Sequence, residues 1–335
     1  MHKRLALLVT CLMLLNLPAR AGEAQGIAAY TRGDFATAIA ELTPAAENGS
    51  ATAQAVLGAM AANGEGGPAD PAQAVAWFSR AAAQGSADAQ HNLGYLYETG
   101  QGVAADPVAA MQWYRLAAAQ GYADAQFNLA ALLSSGAPGV ARDDAEAARW
   151  YEAAAQQGDP LAQQRIGLAY FHGRGVAQDQ AVAIGWFRRA AAQGLPAAQY
   201  TLGVSYNTGQ GVEPNNLEAA RWFRRAADQG YAPAQANLAL LYDHGQGLPQ
   251  SDDDAVKWYR LAAQQGEPHA QNGLGAMYRN GYGVERDLVQ AYAWTNLAAQ
   301  QGHVEAMGNL GELAARMTPE EIAAGQAAAV ALSRR

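Results

Sequence analysis

Seven tryptophans fall on one period. Trp77, Trp113, Trp150, Trp186, Trp222, Trp258 and Trp294 are separated by 36, 37, 36, 36, 36 and 36 residues, and the chain has no other Trp. A fixed period of this length signals a repeat architecture, in which each unit buries its apolar face only by stacking on its neighbours. Other positions keep step. Gly85, Gly121, Gly158, Gly194, Gly230, Gly266 and Gly302 each follow a Gln, eight residues after the Trp. Ala-Gln recurs at Ala53-Gln54, Ala89-Gln90 and onward to Ala270-Gln271. A Leu-Gly or near variant follows, from Leu57-Gly58 to Leu310-Gly311. Tyr97, Tyr170, Tyr206, Tyr242 and Tyr278 come four residues after that Leu or Ile, and a Gly-x-Gly closes the motif. The third unit breaks this loop as Gly136-Ala137-Pro138-Gly139, which supplies the one interval of 37.

Each unit reads as two helices, A and B. Gln90, Leu93, Gly94 and Tyr97 are spaced 0, 3, 4 and 7, one face of an α-helix. The Gly lets a neighbouring helix approach closely, and the Gly-x-Gly ends helix A because glycine tolerates a left-handed C-terminal cap. Helix B opens seven residues before each Trp, at Asp70, Asp106, Asp143, Asp179, Asn215, Ser251 and Asp287. All seven are good N-cap residues, and Pro71 and Pro107 fill the first helical position. Trp113, Leu116 and Ala117 are expected to share the face of helix B that presses on helix A, and the indoles to dominate the core energetics. The expected fold is all-α: a right-handed α/α superhelical solenoid of stacked helix hairpins.

The ends differ from the repeats. Residues 1–21 read as a secretory signal peptide, with Lys3 and Arg4 ahead of an apolar run of 13 residues and Ala19-Arg20-Ala21 as the cleavage signal. The run is too short to span a membrane, which takes about 20 residues. Cleavage removes Cys11, the only cysteine, and three basic residues. That leaves 19 Lys and Arg against 30 acids, a net charge of −11. The mature chain then has no disulfide, and the expected location is periplasmic or secreted. Residues 22–49 are expected to form N-terminal capping helices, 50–302 seven repeats, and 303–335 C-terminal capping helices opened in part by Thr318-Pro319-Glu320-Glu321, a capping box. With 50% hydrophobic residues the chain is not disordered, and the acidic balance argues against nucleic acid. No later segment is apolar enough for stable membrane insertion.

The unit Ala-x-Ala-Gln-x-x-Leu-Gly-x-x-Tyr-x-x-Gly-x-Gly-Val…Trp-Tyr-Arg-x-Ala-Ala-x-Gln-Gly, displayed almost completely by 87–121, resembles the Sel-one-like repeat, a relative of the tetratricopeptide repeat. The resemblance implies a non-enzymatic scaffold or adaptor for other proteins. For secreted or periplasmic bacterial members it implies roles in envelope signalling, envelope assembly or host contact. One branch of the family pairs cysteines within its repeats. This chain lacks them, so that branch's properties, including β-lactam binding, do not carry over.

By resemblance to tetratricopeptide repeats, the remaining face of helix A lines a concave groove. In this chain that face varies from unit to unit. It carries His91 and Tyr95; Phe127; Gln164, Leu168 and Phe171; Tyr200, Val204 and Asn207; Leu240 and Asp243; and Arg279. Tyr95, Phe127, Leu168, Phe171 and Tyr200 are expected to form an apolar stripe that receives a peptide or an amphipathic helix of another protein. The alternative is that tight coiling buries several of these side chains. The Gly-x-Gly loops follow no strand and recur in every unit, so they are turns and not phosphate cradles. His91, His172, His244, His269 and His303 show no metal-ligand spacing, and no cofactor is expected. Asp143-Asp144 and Asp252-Asp253-Asp254 sit where helix B begins, so they read as capping acids. Arg115, Arg188, Arg224 and Arg260 form a solvated stripe or bridge neighbouring helices. No nucleophile and base assemble by spacing. A host-directed secreted factor is the alternative to an envelope scaffold, and a cell-wall hydrolase is a remoter one.

Overall fold

The structure, a computed structural model, describes residues 21–333, so the signal segment lies almost wholly outside the described residues. Two compact units divide after Gln178. The first holds α1 (Ala21–Thr31), α2 (Phe35–Glu47), α3 (Ala51–Asn63), α4 (Pro71–Ala83), α5 (Ala87–Thr99), α6 (Pro107–Ala119), α7 (Ala123–Ser135), α8 (Asp144–Gln156) and α9 (Pro160–His172). The second holds α10 (Gln180–Ala192), α11 (Pro196–Thr208), α12 (Asn216–Ala227), α13 (Ala232–His244), α14 (Asp252–Gln264), α15 (Pro268–Asn280), α16 (Leu288–Gln300), α17 (Val304–Ala314) and α18 (Pro319–Ser333). No strand occurs among the described residues; one isolated bridge joins Ala137 and Val140 in the irregular third loop. Both units are stacks of helix hairpins, the solenoid class expected. Helix A of one hairpin also touches helix A of the next, as in α3 and α5 or α11 and α13.

Local chemistry sets the helix ends. All seven expected caps of helix B accept from the first turn: Asp70 from Gln73 N–H at 2.9 Å, Asp143 from Glu146 N–H at 2.8 Å, Asn215 from Glu218 N–H at 3.1 Å, and the others likewise. Each is worth about 1 kcal/mol. The second glycine of each loop has a separate task. A Cβ on Gly102 would lie 2.2 Å from the Pro71 carbonyl oxygen, and one on Gly175 would lie 2.0 Å from that of Asp144. These loops press on the start of helix B one repeat earlier, an approach open only to glycine. The closing capping box is also present, with Thr318 N–H donating to Glu321 Oε2 at 2.8 Å and Glu321 N–H to Thr318 Oγ1 at 3.2 Å.

The core differs from expectation in one respect. The deepest side chain of helix B is not the Trp but the residue after it. Phe78, Tyr114 and Phe187 are 0% exposed, whereas Trp77, Trp113, Trp150 and Trp222 are half-buried and Leu116 is 50% exposed. The packing face is Ala110, Tyr114 and Ala117, so of the expected Trp113–Leu116–Ala117 face Ala117 keeps its place and Tyr114 takes that of Trp113. The ring meets the Leu-Gly glycine, since a Cβ on Gly94 would lie 2.8 Å from the Tyr114 ring. Trp186, Trp258 and Trp294 are buried, at 8%, 5% and 6% exposure, as expected of core indoles. Others lie on the flank under guanidinium groups, with Arg80 5.0 Å above Trp77 and Arg225 4.5 Å above Trp222. The anchor of about 4–6 kcal/mol at most, for an aromatic burying 150–250 Å², therefore belongs to the Phe or Tyr in the first six hairpins, and to Trp294 in the seventh, where Thr295 follows.

A glutamine ladder holds successive hairpins in register. The buried Gln90 donates to Ala82 O at 3.1 Å and accepts from Gln120 at 2.7 Å. Gln54 and Gln84, Gln126 and Gln157, Gln199 and Gln229, Gln235 and Gln265, and Gln271 and Gln301 repeat the side-chain rung at 2.8–2.9 Å. This is the task of the recurring Ala-Gln and Gln-Gly. Each Ala-Gln side chain satisfies a carbonyl at the end of the preceding helix and is itself satisfied by the next.

Candidate functional site

The expected groove residues fall into three groups. His91 and Phe127 are 3% and 1% exposed, which corrects the expectation that they face an open groove. The ring of Tyr122, at the head of the next helix A, stands 5.2 Å from the His91 ring, and that of Tyr114 stands 5.7 Å from it. His91 Nε2 lies 3.0 Å from Asn128 Nδ2. Phe127 is covered by Tyr151, edge to face at 5.5 Å. The second group is half-buried: Tyr95, Gln164, Leu168, Phe171, Tyr200, Val204, Asn207, Asp243 and Arg279. Tyr200 packs between Phe223 and Tyr231 at 5.8 and 5.5 Å, Asn207 donates to Asn216 at 3.1 Å, and Arg279 lies 3.9 Å from Glu312. Leu240 alone is open, at 41%.

Phe127 and Leu168 are brought together. With Ala131 and Ser134 they line a cleft of about 330 Å³ between α7, α8 and α9, inside the first unit. With Ala131 and Ser134 the third hairpin carries small side chains at two cleft-lining positions where the second carries Tyr95 and Glu98 and the fourth Leu168 and Phe171. The first hairpin, with Ala59 and Ala62, is small there too but has Phe78 in place of the Tyr. Phe127 lies at the floor and Tyr151, 7% exposed, lines one wall.

Charge in the cleft runs against the charge of the chain. Arg142, Arg165 and Arg174 line it with a single acid, Asp144. Arg142 forks onto Asp144, Nε to Oδ1 at 2.9 Å and Nη2 to Oδ2 at 2.7 Å. That pair holds the Asp144 carboxyl below the usual carboxylate range. Neither Arg165 nor Arg174 has a side-chain hydrogen bond or ion pair among the described residues. Burial raises the Tyr151 phenol, while the Ser134 hydroxyl at 3.5 Å and the charge of Arg165 act the other way. Arg142, Tyr151, Arg165 and Arg174 escaped the sequence reading. The available signal was the small Ser134 beneath a Tyr, where the second and sixth repeats pair Tyr114 with Glu98 and Tyr259 with Asp243.

The remaining candidates resolve as follows. The arginines two residues after Trp do bridge helices: Arg188 donates to Tyr206 at 2.9 Å, Arg224 to Tyr242, Arg260 to Tyr278 at 3.5 Å, and Arg115 to Glu146 at 2.9 and 3.0 Å. Asp143 caps α8, but Asp144 pairs with Arg142. Among the described residues no group of three or more His, Cys, Asp or Glu could hold a metal ion, and no helix is long and apolar enough to cross a membrane.

A stack of hairpins with a side-lined cleft is the anatomy of a repeat protein that recognises other proteins, and comparison with known families agrees. The Sel1 repeat profile matches seven times, at 51–86, 87–122, 123–159, 160–195, 196–231, 232–267 and 268–303. The chain belongs to the Sel1 repeat family, whose members bind other proteins. Among solved structures it is similar to a Sel1 repeat protein from Oxalobacter formigenes, at 36% identity over 88% of each chain with a TM-score of 0.69. It is also similar to a protective antigen of uropathogenic Escherichia coli strains that displays an SLR fold, at 29% identity over 94% of this chain and 91% of that one with a TM-score of 0.36. None of the curated protein sequences matches it.

Proposed function

We propose that this chain is a non-catalytic interaction scaffold of the bacterial cell envelope, exported by the segment 1–21, and that it holds a segment of a partner protein in the cleft between α7, α8 and α9. The observation that carries this reading is the lined cleft itself, where Ala131 and Ser134 leave open the space beside Tyr151 that Tyr95 and Glu98 fill beside Tyr114 in the second hairpin. A hairpin kept only for structure gains by filling that space, because unfilled volume costs packing energy. The mixed lining suits a peptide, with apolar surface for affinity and a few placed polar groups for orientation. The cell-envelope assignment rests on the charged n-region, the apolar run and the Ala-x-Ala signal.

Two measurements test the reading. A photocrosslinking residue at Leu168 in the native bacterium is expected to trap a discrete protein, and one at the exposed Arg149 is not. Equal yields from both sites would remove the cleft as the docking point. The mature protein should be recovered from the periplasm with Gly22 as its first residue. Recovery from the culture medium would instead favour the host-directed factor, and an intact N-terminus in the cytoplasm would refute export.

A further inference from the structure

Three hairpins place a tyrosine directly after the Trp of helix B, and each tyrosine faces the same position of helix A. Tyr114 donates its hydroxyl to Glu98 Oε2 at 2.7 Å. Tyr259 is hydrogen-bonded to the carboxylate of Asp243. Tyr151 meets only the Ser134 hydroxyl, at 3.5 Å, and that hydroxyl is already directed at the Ala131 carbonyl at 3.0 Å. The third hairpin thus keeps the donor of the pair and lacks the carboxylate. The space that the carboxylate would fill is the cleft, and Arg165 and Arg174 line it with no hydrogen-bonded ion pair among the described residues, Arg174 acting on Asp144 only through its charge.

Resting on the reading of the cleft as a docking site, we propose that it receives one carboxylate from an acidic segment of a partner protein. The carboxylate seats on the Tyr151 hydroxyl and is neutralised by Arg165 and Arg174. The ligand supplies in trans what Glu98 and Asp243 supply in cis. Arg142 is held by Asp144 and forms the rim. Phe127, Leu168 and Ala169 place apolar surface beside the seat, so the acid is followed or preceded by an apolar residue. Charge-assisted hydrogen bonds to a partly enclosed seat are stronger than neutral ones and give orientation. In an acidic chain, a cleft lined by arginines favours capture of an acidic segment there.

The test uses the full mature chain and a displayed library of random 12-residue peptides. Selected peptides are synthesised and their affinity measured by fluorescence anisotropy. The expected result is an Asp or Glu next to an apolar residue in the selected sequences, with at least a tenfold loss when that acid is changed to its amide. Ser134→Glu fills the seat from within and should weaken acidic peptides at least tenfold, whereas Ser134→Gln, of equal size, should weaken them less. Tyr151→Phe should cost about three- to tenfold, and Arg165→Gln about tenfold. Far-ultraviolet circular dichroism on each variant separates loss of the seat from loss of the fold. Peptides that bind equally well after the acid-to-amide change, and equally well to Ser134→Glu, overturn the carboxylate seat and leave the docking cleft standing. If no peptide competes with a probe attached at Leu168, both readings fall.

Discussion

The second and third hairpins share a core and differ at its edge. In both, a Tyr of helix B lies across helix A, and in both a Gln rung at 2.7–2.8 Å ties the end of helix B to helix A. Tyr114 lies on Gly94, is 0% exposed and reaches Glu98. Tyr151 stands where Ala130 replaces that glycine, is 7% exposed and has only Ser134 before it. A cleft of about 330 Å³ opens in the third hairpin. In a solenoid, where each repeat answers only to its neighbours, a unit can lose bulk at two inner positions while the stack above and below tolerates the loss.

The largest break in that comparison comes from removing the ring itself. Tyr114→Ala should cost about 3–5 kcal/mol, the range for a buried aromatic truncated in a packed core. Trp113→Ala should cost clearly less, because the indole lies half-buried on the flank. Urea unfolding followed at 222 nm reads both, and an equal or larger loss from Trp113→Ala would restore the indole as the anchor. Next in size is Glu98→Ala. It leaves the Tyr114 hydroxyl buried without an acceptor, a loss of about 1–3 kcal/mol. Glu98→Ala and Tyr114→Phe combined should lose less than their sum, the signature of a direct bond.

Much of this was legible in the residues, and what was not has identifiable causes. The caps at Asp70 to Asp287 were legible because capping is local chemistry: a short acceptor meets free N–H groups within three residues. The Leu-Gly contact was legible because glycine at a fixed helical position marks close approach. The Trp misled in four hairpins because its rarity marks the period, while the neighbouring position, Phe or Tyr in six units and Thr295 in the seventh, is the deeper one; Trp186, Trp258 and Trp294 are buried as expected. The burial of His91 depends on Tyr122, 31 residues away, and of Phe127 on Tyr151, so neither shows in the periodicity of one helix. The cleft arises from two small residues, Ala131 and Ser134, and a search for large or charged side chains passes over them.

Alkaline pH separates the two hairpins by a different route. Burial, then the charge of Glu98, raises the Tyr114 phenol well above its ordinary value of 10.0. Burial likewise raises Tyr122 and Tyr259, with Asp88 and Asp243 adding to the effect, and Tyr30 is pushed up to about 12. A phenol raised in the folded state keeps its proton after the unfolded chain has lost it. The stability it contributes is therefore complete below pH 10 and is lost as pH rises toward the folded value. Each such group should remove about 1.4 kcal/mol per pH unit in that window. Tyr114→Phe should flatten the decline between pH 10 and 11 more than Tyr151→Phe, since Ser134 and Arg165 oppose the effect of burial on Tyr151. Equal flattening would mean that the two tyrosines sit in equivalent surroundings after all.

The smallest effect is the most discriminating, because it runs opposite in sign to the others. Ser134→Glu gives the third hairpin the side chain that the second has at Glu98. The new carboxylate meets a buried phenolic donor and lies in a cleft lined by Arg165, so two favourable partners await it, and the one acid lining the cleft, Asp144, is already engaged by Arg142. A net hydrogen bond of this kind is worth about 0.5–1.5 kcal/mol. The longer Glu also occupies space that now holds no side chain. The variant should therefore be more stable than the natural protein, with a raised urea midpoint and an unchanged slope. Glu98→Ser should do the reverse, lowering the midpoint and opening a second cleft beside Tyr114. If Ser134→Glu destabilises the protein, the third hairpin is not the second with a side chain removed, and the empty space beneath Tyr151 has another geometry from the one filled by Glu98.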